Sequence, residues 1–168
     1  MLFRSGDVFV CRVGFLESEQ RSANLYAATQ PGGTLFGLQE ANPTNEDVAY
    51  GGNAAEYGTS HDFMVGKRIG GTNVFGGGVA LYDDHGTLIG GLGVSGDASC
   101  ADHNIAWKMR YNLRLDNVPA GVADGGKDDN IIYDITNGVS AGGFGHPECS
   151  ATATSIGKAL PQTHPIGH

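Results

Sequence analysis

Two apolar segments on either side of a short turn constrain the fold of this chain more than any other feature. The segments span residues 72–82 and 87–94, and the turn between them reads Asp83-Asp84-His85-Gly86. Apolar runs joined by four residues that end in glycine are typical of a β-hairpin, so we expect two antiparallel strands. The side chains of the turn could together hold a surface metal ion, but turn chemistry alone also accounts for them.

A helix is predicted over residues 99–115, directly after the second strand. Ser99 and Asp102 have the spacing of a capping box. Cys100, His103 and Trp107 lie on one face of this helix. Apolar residues recur at every fourth position on a different face, which predicts that this second face packs on the core. These residues are Ala101, Ile105, Met109 and Leu113.

Gly91, Gly93 and Gly96 form the pattern G-x-G-x-x-G, which also occurs in dinucleotide-binding turns. That function requires a parallel βαβ unit whose helix N-terminus is aimed at the pyrophosphate. Here the strand entering the motif belongs to a hairpin, and the helix signals begin only at Ser99. We therefore interpret the glycines as places where a neighbouring backbone or a flat ligand can press against the strand.

The composition limits the partners of the chain. The 28 glycines among 168 residues follow no collagen-like period and indicate many tight corners. The formal charge of −8 and the lack of a basic cluster disfavour nucleic acid and anionic membranes as partners. No apolar run approaches the roughly 20 residues of a membrane span.

The rest of the chain gives weaker signals. We predict a strand over residues 7–15, a helix over 17–28 and a second strand over 130–135. A long loop over 29–60 is typical of a functional segment, and its residues 35–38 are expected to dock on the core. We expect one domain over residues 1–150 and a flexible tail over 151–168.

The three cysteines, Cys11, Cys100 and Cys149, include no C-x-x-C pair, which disfavours zinc-ribbon and thioredoxin-type sites. Cys100 and Cys149 could form a disulfide, worth about 4 kcal/mol on the chain-entropy model. Free buried thiols are the alternative. The stretch GFGHPEC could bring His146 near Cys149.

Residues 76–106, GGGVALYDDHGTLIGGLGVSGDASCADHNIA, resemble the signature of the GlcG/HbpS-like haem-binding (haem-degrading) family. Its hallmark is a glycine-rich strand, a turn, a second strand ending G-h-G-V-S-G, and a helix opening with Asp followed by an acid. Here Asp102 is at the expected place, but His103 replaces the usual acid. Residues 23–43, 64–78 and 145–149 resemble one branch of that family. The resemblance implies an α+β, profilin-like fold: an antiparallel sheet of about five strands with helices packed on its faces. It also implies a homo-oligomer.

The N-terminus departs from the family pattern. Family members have a helix, a strand pair and a second helix before the stretch that matches residue 23, whereas here one strand and one helix precede it. We therefore expect an N-terminally truncated member, in which the missing segment would leave fewer strands than the family has. The chain as it stands predicts a cytoplasmic protein, and a missing upstream signal peptide would make it periplasmic or secreted.

The candidate site residues follow from the resemblance to a haem-binding family. His103 could ligate haem iron while Trp107 packs on the porphyrin edge, or His103 could hydrogen-bond Asp102 or a loop carbonyl instead. Lys67 and Arg68 could pair with haem propionates or a substrate carboxylate, or form an exposed basic pair. The predicted cofactor-binding set also includes Gly93, Ser95 and Gly96.

Three functions follow from these observations. The first is a haem-binding protein of the GlcG/HbpS type that binds, stores, senses or degrades haem. The second is an accessory protein or enzyme acting on a small carboxylate such as glycolate, and the third is a ligand-free structural oligomer module. Binding is favoured over haem degradation, because a lone ligand histidine has no evident reductant site beside it. A hydrolase is disfavoured, because Ser95 lacks the glycine two places later that a G-x-S-x-G elbow requires.

Overall fold

The structure is a computed structural model that describes residues 8–11, 22–38, 43–67, 70 and 76–167. Its strands are β1 (Val8–Cys11), β2 (Gly78–Tyr82), β3 (Leu88–Val94), β4 (Ile135–Thr136) and β5 (Val139–Ser140). Its helices are α1 (Tyr26–Thr29), α2 (Glu46–Ala49), α3 (Ser99–Asn112) and α4 (Ala151–Thr163), with 3-10 helices at Ser22–Leu25 and Ala54–Glu56. The fold class is therefore α+β, as predicted.

The predicted hairpin is confirmed as β2 and β3. These strands pair antiparallel, and β1 pairs antiparallel with the other edge of β3 to give the order β1-β3-β2. The turn is closed by hydrogen bonds from the Asp83 amide to the Thr87 carbonyl and from the Gly86 amide to the Asp83 carbonyl. Because both neighbours of β3 run antiparallel to it, the glycine motif does not belong to a dinucleotide-binding βαβ unit.

The predicted helix after β3 is confirmed as α3, but only half of its predicted apolar face is covered. Met109 packs on the sheet cluster and Ala101 on the cluster around Cys100, whereas the other two residues of the stripe are exposed. Ile105 and Leu113 are 44% and 51% exposed. The helix packs both on the sheet and on α4, so most of its circumference is covered. The apolar cluster between α3 and the sheet consists of Val79, Leu81, Leu92, Val94 and Ala106. The side of α3 turned away from this cluster buries Cys100, His103, Trp107 and Arg110.

The flexible tail predicted for residues 151–168 is a wrong expectation, because residues 151–163 form α4. The Ser150 side chain caps this helix by accepting a hydrogen bond from the Ala153 amide. The helix buries Leu160 completely, and the carbonyl of His164 accepts a 2.8 Å hydrogen bond from the Trp107 indole. Segment 151–164 is thus part of the core.

Three other segments differ from their predictions. Of the strand predicted over 130–135, only residue 135 is in a strand. It is the first residue of β4, which pairs with β5 over two residues. Phe36 is 66% exposed, so residues 35–38 do not dock on the core. For the strand predicted over 7–15, the structure describes residues 8–11, which form β1. For the helix predicted over 17–28, it describes residues 22–28, which are helical. The other residues of both segments lie outside the described part.

No helix in the described part of the chain combines the length and the hydrophobicity needed to cross a bilayer.

Candidate functional site

The residues predicted to bind haem fall in three separate places. His103 and Trp107 are core residues, each 1% exposed. Gly93 and Ser95 are half-buried, and Gly96 is exposed. Lys67 lies in the loop after α2, where its ammonium group is 2.8 Å from the centre of the Phe63 ring. Arg68 lies outside the described residues.

His103 is held by the loop that follows Asp129. Its Nε2 is 3.1 Å from the Oδ1 of Asn130, whose amide nitrogen donates to the Gly157 carbonyl at 2.9 Å. This second bond leaves Oδ1 as the acceptor for Nε2–H, and the Ile131 amide, 2.9 Å from Oδ1 and 3.2 Å from Nε2, then donates to Oδ1. The partner is therefore a side-chain amide, rather than Asp102 or a loop carbonyl. The Nδ1 atom of His103 is buried and has no hydrogen-bond partner among the described residues.

Burial lowers the pKa of His103 from its ordinary 6.5 to about 4. The negative charge of Asp129 opposes this shift, and the hydrogen bond to Asn130 also opposes it. The imidazole is therefore neutral at pH 7 in the folded protein.

This buried histidine predicts a pH dependence of stability. Between pH 6.5 and about 4, the unfolded chain takes up a proton on His103 that the folded protein does not bind. The free energy of unfolding therefore falls as the pH falls through this window, by up to about 3 kcal/mol. In urea unfolding at pH 6.5 and pH 4.5, we expect His103→Gln to lose less stability on acidification than the wild type.

The exposed His85 provides the matched control. Its side chain is 80% exposed, so His85→Gln should show the acid response of the wild type. Burial also lowers the pKa of His146 and raises those of Asp102 and Asp128, and these groups titrate in all three proteins. Equal acid responses in His103→Gln and His85→Gln would contradict the assignment.

A buried ion pair lies on the same side of α3 as His103. The guanidinium of Arg110 donates two 2.6 Å hydrogen bonds to the carboxylate of Asp129, and both side chains are fully buried. Arg110 also donates to the carbonyl of Ala80 at 3.1 Å and lies 4.8 Å from the centre of the Trp107 ring. This residue therefore joins α3, β2 and the loop around Asp129.

The core position of His103 does not fit the role of ligand to an external haem. A porphyrin face would have to displace Asn130 and the covering segments to reach the imidazole. The Trp107 indole is likewise engaged, because its edge donates to the His164 carbonyl and Arg110 covers its ring. The prediction that both side chains lie on one face of the helix is confirmed, but that face is buried in the protein core.

On β2 and β3, the face turned away from α3 carries three glycines. Leu92 and Val94 point toward α3, so the alternating residues of β3 and the position after it face the opposite way. On β2, Gly78 pairs with Gly93. We call this face the glycine surface; its half-buried members are Gly78, Gly91, Gly93 and Ser95.

The segment that connects β3 to α3 and the first turn of α3 carry one carboxylate each. The capping box predicted at Ser99 is not formed, because the N-cap is Ala98 and has no side-chain bond to the helix. Instead, the carboxylate of Asp102 accepts from the Asp97 amide at 3.1 Å, and the Asp97 carboxylate accepts from the Ala98 amide at 2.6 Å. Two carboxylates thus accept the amides just before the helix and place negative charge at its N-terminus.

A second group of reactive side chains lies where the loop before α4 meets α3. Cys100 and Cys149 form a disulfide, which is one of the two alternatives that the sequence left open. The Nδ1 atom of His146 is 3.9 Å from the Cys100 sulfur, so His146 is close to both cysteines, as the GHPEC stretch suggested. Burial lowers the pKa of His146.

The turn Asp83-Asp84-His85 is accounted for by turn chemistry. One oxygen of Asp83 accepts hydrogen bonds from the His85 and Thr87 amides at 2.9 and 2.8 Å. The bond from Thr87 is the largest cause of a lowered pKa for Asp83. His85 contacts Asp84 at 2.6 Å on the exposed surface.

Comparison of the chain with protein-family models, curated proteins and solved structures finds no match. The resemblance to the GlcG/HbpS-like family therefore stays a prediction from the sequence.

Proposed function

We propose that the protein is a binding protein of the GlcG/HbpS type that holds haem, or a ligand of similar flat shape, against the glycine surface. The proposal includes the profilin-like fold and the homo-oligomer that the resemblance implies. The observation that carries it is the glycine surface, where Gly78, Gly91 and Gly93 leave the backbone of a stable sheet partly exposed.

The physical argument concerns how closely a ring can approach the sheet. A residue without a side chain lets a flat ligand contact the backbone directly, and three such residues on paired strands form a continuous plane. The plane ends at Ala80, which is buried with Tyr82 and Val118. Ser95, at the opposite end, offers a hydroxyl for a polar substituent of the ligand.

The glycine surface favours a planar ligand over a small carboxylate. The carboxylates of Asp97 and Asp102 already accept the amides next to the start of α3, and their charge would repel an acid there. Lys67 contacts Phe63 and is not part of the surface.

The central test is to titrate the oxidised wild type and the oxidised Gly93→Val variant with hemin. The shift of the Soret band measures binding. Valine suits a β-strand, and Gly93 does not have a positive φ, so we expect the fold to be retained. The valine side chain would occupy the space in which the planar ligand is proposed to lie. We expect hemin to bind at least about tenfold more weakly, a loss of about 1.4 kcal/mol.

A matched control is Thr136→Val, which places the same residue at an exposed strand position outside the glycine surface. This variant should bind hemin like the wild type. Equal affinity of Gly93→Val and the wild type for hemin would rule out the glycine surface as the binding site. A wild type that gives no saturable Soret shift but is stabilised against heat by glycolate would support the carboxylate alternative instead.

A further inference from the structure

We infer that reduction of the Cys100–Cys149 disulfide creates a metal site, in which the two thiolates and the imidazole of His146 bind a borderline or soft cation such as Zn²⁺. This inference is independent of the proposed haem function, because none of the three residues belongs to the glycine surface.

The donor atoms are already close enough to share one ion. The two sulfurs and a ring nitrogen of His146 all lie within 4.8 Å of one another. Zinc bonds of about 2.0–2.3 Å in a tetrahedral arrangement place ligand atoms about 3.5–3.8 Å apart. The Cα atoms of the cysteines are 6.1 Å apart, so small side-chain rotations would open the sulfurs to this spacing.

The backbone holds each of the three donors in place. Cys100 lies in the first turn of α3, and its amide donates to the sulfur of Cys149 at 3.4 Å. A helix N-terminus and an amide donor both stabilise a thiolate. The amide of His146 donates to the Ile132 carbonyl at 2.7 Å, which fixes the backbone beneath the imidazole.

The charge and burial of the cluster suit a divalent ion. Two thiolates and a neutral imidazole carry a charge of −2, which one Zn²⁺ balances within a largely buried environment. Cys100 is fully buried, His146 is buried and Cys149 is half-buried, so the open side of the cluster is at Cys149. Three protein donors leave the fourth position of a tetrahedral ion to water or another small donor.

The change of state is a two-electron reduction. A dithiol reductant breaks the sulfur–sulfur bond and is itself oxidised to a disulfide, while its two protons pass to Cys100 and Cys149. Metal binding then releases these two protons to solvent. His146 donates its Nδ1 hydrogen to the Pro147 carbonyl at 2.7 Å, so ligation through Nδ1 requires the hydrogen to move to Nε2.

Cobalt(II) titration of the full chain tests the site, because Co²⁺ reports thiolate ligation by its absorption. The protein is reduced with a phosphine under anaerobic conditions; water supplies the oxygen of the phosphine oxide and the two thiol protons. We expect one Co²⁺ per chain, with a thiolate charge-transfer band and the strong visible bands of a tetrahedral ion. Zn²⁺ should displace it, and the oxidised protein should give no band.

Variants separate this site from adventitious thiol binding. Cys149→Ser should abolish the charge-transfer band of a two-thiolate site, and His146→Asn should weaken Co²⁺ binding at least about tenfold, since even indirect partners of a ligand contribute that much. Cys11→Ser is the matched control and should leave the titration unchanged. A reduced wild type without a band, a band that survives Cys149→Ser, or unchanged affinity in His146→Asn would each overturn the inference.

Discussion

Asp129→Asn is expected to lower the free energy of unfolding by about 3–5 kcal/mol. The substitution keeps the shape of the side chain but leaves the buried guanidinium of Arg110 without its counter-charge. The remaining bond from Arg110 to the Ala80 carbonyl cannot compensate a buried charge. Urea unfolding at pH 7, followed by circular dichroism, measures the loss.

Two further variants distinguish the buried charge from a general effect of the substitution. Asp124→Asn removes the partner of Lys127 from a 3.6 Å pair whose side chains are both well exposed, so it should cost less than about 1 kcal/mol. The double variant Arg110→Met/Asp129→Leu should recover much of the lost stability, because it leaves no charge unpaired. A small loss in Asp129→Asn, similar to that in Asp124→Asn, would contradict the buried pair.

Cys149→Ser is expected to lower the free energy of unfolding of the oxidised protein by about 4 kcal/mol. The disulfide joins residues 49 positions apart, and closing a loop of this length restricts the unfolded chain by about that amount on the chain-entropy model. The bond also ties the start of α3 to the loop before α4. Thermal or urea unfolding without reductant measures the effect.

Reductant and the third cysteine provide the controls for this prediction. Reduction of the wild type without added metal should produce a loss similar to that in Cys149→Ser, and reductant should have little effect on that variant. Cys11→Ser should lose stability on reduction as the wild type does, because it keeps the bond between Cys100 and Cys149. If Cys149→Ser and the wild type unfold at the same urea concentration without reductant, Cys149 is not part of a stabilising bond.

The hairpin could be predicted from the sequence because its determinants are local. The turn residues, the glycine after them and the apolar strands are all within residues 72–94, and β2 and β3 follow this pattern. The glycine surface follows from the same strands, because side chains alternate between the two faces. The hydrogen bonds of Asp83 to the Thr87 and His85 amides stabilise the turn as its sequence indicated.

The orientation of α3 could not be predicted, because it depends on residues far away in the sequence. Arg110 pairs with a residue 19 positions later, and His103 with Asn130, 27 positions later. An apolar stripe identifies the core face only when a helix has one neighbour, whereas α3 is covered by both the sheet and α4. Polar residues therefore occupy its interior face as paired groups.

The α4 segment was missed because its composition resembles that of a tail. It is rich in Ala, Thr, Ser and Gly, which give little hydrophobic periodicity. The same small residues allow close packing: a Cβ at Gly157 would come within 3.1 Å of the Asn104 side chain and 3.2 Å of the Tyr133 hydroxyl. The helix packs through one face, whose buried residues recur at helical spacing, and the small residues of this face allow the close fit: Ala153, Thr154, Gly157 and Leu160.

Parallel hemin titrations of Gly93→Val and His103→Gln at pH 7 test the central claim most directly, namely that the ligand lies on the glycine surface and that His103 belongs to the core. The account predicts at least about tenfold weaker binding in Gly93→Val and the affinity and Soret position of the wild type in His103→Gln. The reverse result, with full affinity in Gly93→Val and a lost Soret shift in His103→Gln, would contradict it.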